Sequence, residues 1–189
     1  MRRLILIALI TLALPSLAVA QSDHPQGSLS AVAGGGQTWD DEGSLGGGFV
    51  FGARADYRLW GKTYGEIAVD VLTHDRDVGY FKADGRTTFL TASLIRRFGE
   101  GRAQPYILGG GLIAWHSATL TFGSGVPEQM VSSDESSTNG GFTFGTGVLV
   151  RAGDRVELGP ELRLLGMFVG DDSDPATAYW VGIRVAYRF

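Results

Sequence analysis

The chain has 189 residues, 44% of them hydrophobic and 19% charged, with 29 glycines, six prolines and no cysteine. That length fits one domain, the composition excludes a disordered chain or a coiled coil, and the lack of cysteine excludes disulfides, thiolate metal sites and a cysteine nucleophile. A formal net charge of -4 argues against a nucleic-acid partner, which calls for a basic surface.

Residues 1–20 read as a secretory signal peptide. Met1-Arg2-Arg3 is positive, Leu4 to Leu14 is apolar, and Ala18 and Ala20 are the small residues before a cut at Gln21. Pro15 interrupts the apolar run, which falls short of the ~20 residues of a spanning helix. Residues 21–189 are then one exported domain. No later segment is a long apolar run, and no long stretch has helical periodicity. Period-two alternation recurs instead, in segments separated by turn-forming clusters.

Eight strands are expected, at 28–37, 44–59, 63–73, 87–98, 104–118, 140–151, 155–168 and 178–189. The first, with Gly34-Gly35-Gly36, leaves its facing open. In the second, Phe49, Phe51, Ala53, Ala55, Tyr57 and Leu59 alternate with Val50, Gly52, Arg54, Asp56 and Arg58. The third carries Glu66 and Asp70 and the fourth Arg97. The fifth, with Gly109-Gly110-Gly111, is again open in facing. In the seventh, Val156, Leu158, Pro160, Leu162, Leu164 and Phe168 oppose Glu157, Gly159, Glu161 and Arg163. In the eighth, Tyr179, Val181, Ile183, Val185, Tyr187 and Phe189 oppose Trp180, Gly182, Arg184, Ala186 and Arg188. Neighbouring side chains on a strand face opposite sides, so each strand has one greasy face and one small or charged face.

A soluble sandwich also alternates, but three features favour a membrane. The segments match or exceed the 9–11 residues of a tilted spanning strand. Aromatic residues gather at segment ends, as in interfacial girdles: Trp60, Phe98, Tyr106, Tyr187 and Phe189 at one level, Trp39, Trp115, Phe142, Phe168 and Tyr179 at the other. The polar face is rich in glycine, which suits a crowded lumen. Connections alternate between tight turns (60–62, 99–103, 152–154) and longer loops (38–43, 74–86, 119–139, 169–177). The expected fold is all-β: an eight-stranded antiparallel up-and-down transmembrane β-barrel, closed because lipid tolerates no open sheet edge. It is expected to be integral to the outer membrane, with both termini periplasmic.

The terminal Val185-Ala186-Tyr187-Arg188-Phe189, the opening Pro105-Tyr106-Ile107-Leu108-Gly109-Gly110-Gly111 and the stretch Gly46 to Tyr57 resemble the small eight-stranded outer-membrane barrels. That family includes the OmpA transmembrane domain and the OmpX- and porin-like proteins. The resemblance covers the exported chain and is specific for fold and location rather than activity. It implies that Val185, Tyr187 and the final Phe189 form the signal read by the barrel-assembly machinery during insertion. Outer-membrane lipid and lipopolysaccharide are then the surroundings. Unlike full-length OmpA, no peptidoglycan-binding domain is expected after Phe189.

Alternation places Arg54, Asp56, Arg58, Glu66, Asp70, Arg97, Glu157, Glu161, Arg163, Arg184 and Arg188 on the inner face. An eight-stranded barrel is just wide enough for its own side chains. These charges are therefore expected to pair as a plug, or alternatively to gate a narrow ion path. Glu157 and Glu161 could suggest acid–base work, but arginines surround them. His24 lies near the start, His74 opens a loop, and His116 at the upper rim precedes Ser117, which as its strand neighbour points the other way. A base and nucleophile must meet, so no catalytic residue is assigned. No cofactor or metal site is expected. Asp40-Asp41-Glu42, Asp75, Asp77, Asp134-Glu135 and Asp171-Asp172-Ser173-Asp174 are expected in the long outer loops as solvated charge, without the spacing of an EF-hand. The polar stretch 120–139, with Ser132, Ser133, Ser136, Ser137 and Thr138, is the expected contact surface for an external ligand. The leading expectation is a non-enzymatic outer-membrane barrel with an envelope-structural or surface-contact role. The alternatives are a low-conductance solute or ion pore and, behind it, a lipid A hydrolase.

Overall fold

The computed structural model describes residues 26–40, 43–77, 81–122, 134–168 and 176–189, and all regular structure in them is strand. The strands are β1 (Gly27–Asp40), β2 (Gly43–Trp60), β3 (Thr63–Asp77), β4 (Phe81–Arg97), β5 (Ala103–Phe122), β6 (Asp134–Arg151), β7 (Val156–Phe168) and β8 (Ala176–Arg188). Each pairs antiparallel with the next, and β8 returns to β1, closing the barrel. The closing seam runs from Ser28 opposite Arg188 to Trp39 opposite Thr177. Phe189 extends it by one step, donating its N–H to the Gly27 carbonyl at 3.1 Å and accepting from the Gln26 N–H at 3.0 Å. Two of the tight turns use glycine with positive φ, Gly61 (52°) and Gly99 (77°), where a side chain would be strained.

The outer wall is apolar. Phe49, Ile67, Leu94, Ile107, Phe144, Leu164, Val181, Ile183 and Val185 are all more than half exposed or at the half mark. A water-soluble surface of this extent would aggregate; a hydrocarbon surround explains it. Near the tight turns the wall carries Tyr57, Trp60, Phe98 and Tyr187, and towards the far end Trp115, Phe142 and Phe168. There Trp39 stacks on Tyr179 at 4.7 Å. Above that level the outward side chains turn polar, as at Arg86, Ser117 and Thr138.

Several expectations need correction. Tyr106 belongs to no girdle: it points into the lumen, 1% exposed. The outer strands run further than apolar alternation suggested. The expected 74–86 loop is mostly ladder, since β3 continues to Asp77 and pairs with Lys82 of β4. β6 begins at Asp134, so Ser136, Ser137 and Thr138 lie on a strand. Asp40, Asp75, Asp77, Asp134 and Glu135 are likewise strand residues. Hydrogen bonding between antiparallel strands does not depend on apolar side chains, so the ladder outlasts the lipid-facing pattern. The signal segment, His24, Asp41, Glu42, Ser132, Ser133 and residues 171–174 fall outside the described residues.

The two open facings are resolved. On β1, Ser28, Ser30, Val32 and Thr38 are buried inward, while Leu29, Ala31 and Ala33 face out; on β5, Tyr106, Leu108, Leu112 and Ala114 face in, while Ile107, Ile113 and Trp115 face out.

Candidate functional site: a stratified lumen

Ion pairs fill the middle of the lumen. Arg184 on β8 is fully buried and reaches three strands. Its Nη2 donates to both Asp56 carboxylate oxygens at 2.7 Å, and its Nη1 donates to Glu66 Oε2 at 2.9 Å and Glu161 Oε2 at 3.5 Å. Arg163 on β7 donates from Nε to Glu161 Oε1 at 2.6 Å, from Nη2 to Glu66, and from Nη1 to Thr91 Oγ1 at 3.3 Å. Arg54 on β2 donates to Glu161 Oε1 at 2.5 Å and Asp70 Oδ1 at 3.0 Å. The Tyr106 hydroxyl completes the shell of Glu161, donating to Oε2 at 2.5 Å. Ser28 donates to Asp56 Oδ2 at 2.7 Å. Charge-assisted bonds of this kind are the short, strong ones, and a buried charge needs them.

Glycines make the room. A Cβ on Gly52 would collide with the Asp70 carboxylate, and one on Gly147 would sit 2.5 Å from the Tyr106 hydroxyl and 2.6 Å from the Pro160 carbonyl. Absent side chains on β2 and β6 are thus where the long polar groups of neighbouring strands lie.

Directly above this layer, away from the tight turns, lies an apolar one. Val32, Val50, Leu72, Phe89, Leu112, Ala114, Leu165, Met167, Ala178 and Trp180 form one buried cluster. They come from every strand but β6, which contributes buried Thr143 opposite Leu165. Trp180 joins the two layers: the guanidinium carbons of Arg54 and Arg163 lie 4.8 and 5.6 Å from its ring centroid. The sequence reading expected small or charged inner residues and missed this layer. The signal was there, since Leu72, Leu165 and Met167 follow Asp70 and Arg163 at even spacing, and Val50 and Trp180 stand four residues from Arg54 and Arg184.

Below the ionic layer, at the tight-turn mouth, Arg97 donates to Glu157 Oε2 at 2.9 Å and Asp56 Oδ2 at 3.2 Å. Its guanidinium lies 4.3 Å from the centroid of the Tyr64 ring. Arg188 is 3.2 Å from Glu157 Oε1. Arg58 faces inward as expected but stands outside the pairing, with its Nε donating to the Gly61 carbonyl at 2.6 Å. Of the eleven inner-face charges named from the sequence, the structure brings ten into contacts with one another and leaves Arg58 on a turn carbonyl.

His74 is another correction. It opens no loop; it is buried on β3, with Nε2 3.0 Å from Thr87 Oγ1, which lies 3.0 Å from His116 Nδ1. His116 is half-buried and inward, while Ser117 is exposed on the outer wall. Val185 and Tyr187 face outward. Among the described residues no three His, Asp or Glu side chains are grouped to hold a metal ion.

No family model matches the sequence, and no curated protein matches it either. Solved structures do. Neisserial surface protein A is 19% identical over 86% of this chain and 97% of its own, with a TM-score of 0.68. OprG from Pseudomonas aeruginosa is 16% identical over 88% and 97%, with a TM-score of 0.57. Ail, the attachment invasion locus protein of Yersinia pestis, solved with the heparin analogue sucrose octasulfate, is 14% identical over 86% and 99%, with a TM-score of 0.55. At these identities what is shared is the fold, the small eight-stranded outer-membrane β-barrel.

Proposed function

We propose that this protein is a non-enzymatic integral outer-membrane barrel that acts as a closed anchor, with its tight turns and both termini on the periplasmic side and its extended far rim offered for surface contact. One observation carries this reading over a pore: fully buried Trp180, Phe89 and Leu72 lie across the lumen on top of fully buried Arg163 and Arg184. A current of about 10⁷ ions per second requires a barrier near 8 kcal/mol. Moving a bare ion from water into an apolar medium costs of order 20 kcal/mol in the idealised limit. The apolar layer therefore opposes conduction even where the ion pairs rearrange.

The far rim is acidic at its strand ends, with Asp40, Asp75, Asp77, Asp84, Asp134 and Glu135 against Arg76, Lys82 and Arg86. That balance suits a basic ligand, or lipopolysaccharide approached through divalent cations. The non-enzymatic reading rests on the opposed directions of His116 and Ser117; the hydroxyl that His116 does meet, Thr87, is buried in the lumen and shared with His74. Planar-bilayer recording of refolded protein with heat-modifiable gel mobility tests the anchor. A silent membrane is expected; stable steps that change on replacing Glu161 or Arg184 would establish the pore instead. Deleting residues 124–132, outside β6, should abolish binding to cells or surface ligand if the rim is the contact, and unchanged binding would count against it.

A further inference from the structure

At the tight-turn mouth the lumen opens into a cavity of about 460 Å³ whose lining includes Arg58, Lys62, Arg97, Arg151 and Arg188. Among the described residues its only lining carboxylate is Glu100, held 3.0 Å from Lys62 at the edge and largely exposed. Behind the wall, the single carboxylate of Glu157 serves three arginines at once: Arg97 at 2.9 Å, Arg188 at 3.2 Å and Arg151 at 3.8 Å. Five cations against these two carboxylates leave a surplus of three. Arg58 meets no carboxylate among the described residues, and the Arg151 Nε has no hydrogen-bond acceptor there. The ionic layer above carries four carboxylates against three arginines and takes one charge of this surplus through Arg97, 3.2 Å from Asp56 Oδ2, which leaves two cations unbalanced at the mouth.

Like charges gathered on a concave, low-dielectric wall focus a positive potential outward. They repel one another until an anion enters. Guanidinium groups match phosphate and carboxylate oxygens with paired donors. We propose that this vestibule is a binding site for a small polyanion of the phosphate-ester class, held by Arg58, Arg151 and Arg188 over a floor of Arg97 stacked on Tyr64. It lies at the opposite end from the acidic rim and is independent of any surface-contact role.

Calorimetric titration of the refolded protein with pyrophosphate in zwitterionic detergent tests the site. Saturable binding is expected, weakened at least about tenfold, or 1.4 kcal/mol, in Arg58→Gln/Arg151→Gln, and unchanged in Arg86→Gln at the far end. Should the double variant fail to refold, amide shifts of Gly99 and Gln104 in the unmodified protein on adding pyrophosphate carry the same test. Absence of saturable binding, equal affinity in the double variant, or shifts confined to the far rim would each overturn the proposal. Repeating the titration in phosphatidylcholine nanodiscs with and without phosphatidylglycerol separates the sources of phosphate. Weaker binding with the anionic lipid assigns the site to a headgroup, and equal binding assigns it to a soluble ester.

Discussion

Replacing Arg184 with methionine keeps the length of the side chain and removes its charge. Arg184 is fully buried and, among the described residues, is the only one that bonds Asp56, Glu66 and Glu161 together. Asp56 would keep Ser28 and Arg97, and Glu66 and Glu161 would keep Arg163. Four buried carboxylates, Asp56, Glu66, Asp70 and Glu161, would then face Arg54, Arg163 and the Arg97 that Asp56 shares with Glu157. Breaking a buried pair from one side costs about 3–5 kcal/mol. With an unfolding slope of about 2 kcal/mol per molar urea, the midpoint should fall by about 2 M. Equilibrium unfolding from lipid vesicles, followed by tryptophan fluorescence, measures it. Adding Glu66→Gln to Arg184→Met should recover part of the loss, because contacting sites are coupled by about 0.5–3 kcal/mol. A midpoint shift worth less than about 1 kcal/mol, or strictly additive variants, would mean that the layer is wet and the closed-lumen reasoning is wrong.

Ile183→Arg places a charge on the outer wall, where Ile183 is 52% exposed to lipid; it should cost about 2–4 kcal/mol near the midplane in the same vesicle assay, and an unaffected midpoint would refute the assigned facing of β8. Gly147→Ala pushes a methyl group against the Tyr106 hydroxyl and the Pro160 carbonyl, with an expected loss of about 1–3 kcal/mol from overpacking; Gly153→Ala, in open space on the β6–β7 turn, is the control and should change far less. His116→Ala should leave the mass spectrum of lipid A from expressing cells identical to that with the unmodified protein, and a difference between the two would reinstate hydrolysis.

Facing was legible in the sequence because it depends only on odd or even position. Arg54, Glu161, Arg163 and Arg184 could be placed inside from Phe49–Leu59, Val156–Phe168 and Tyr179–Phe189 alone. Height along the barrel axis was not legible, because it depends on the stagger between strands, which hydrogen-bond register sets and side-chain alternation does not encode. Contacts such as Tyr106 of β5 to Glu161 of β7, which reach past β6, exist only once the sheet has curved into the barrel. Tyr106 was misplaced for this reason: as an aromatic near a strand end it looked interfacial, yet its parity points inward and the stagger carries Glu161 to meet it. Glycine runs on β1 and β5 hid the parity itself, and only closure revealed which of their residues face in.

Stability alone does not explain why the middle layer is ionic. Well-packed apolar groups often replace a buried ion network at no loss, or with a gain of about 1–4 kcal/mol. The alternative pressure lies outside the folded state. A strand with grease on both faces would expose long apolar runs while the chain is still in water, and such runs aggregate. The inner charges would then be kept for solubility before insertion. Replacing Arg184, Asp56 and Glu66 together by Met, Leu and Leu removes one cation and two anions. It leaves Arg54 and Arg163 with Asp70 and Glu161, and Arg97 with Glu157. The triple variant should match or exceed the natural urea midpoint in vesicles, in contrast to Arg184→Met. Its yield of heat-modifiable barrel after dilution from urea should nevertheless fall as protein concentration rises. A triple variant as unstable as the single one would show that the charges hold the lumen together; an undiminished yield would remove solubility as the reason they are there.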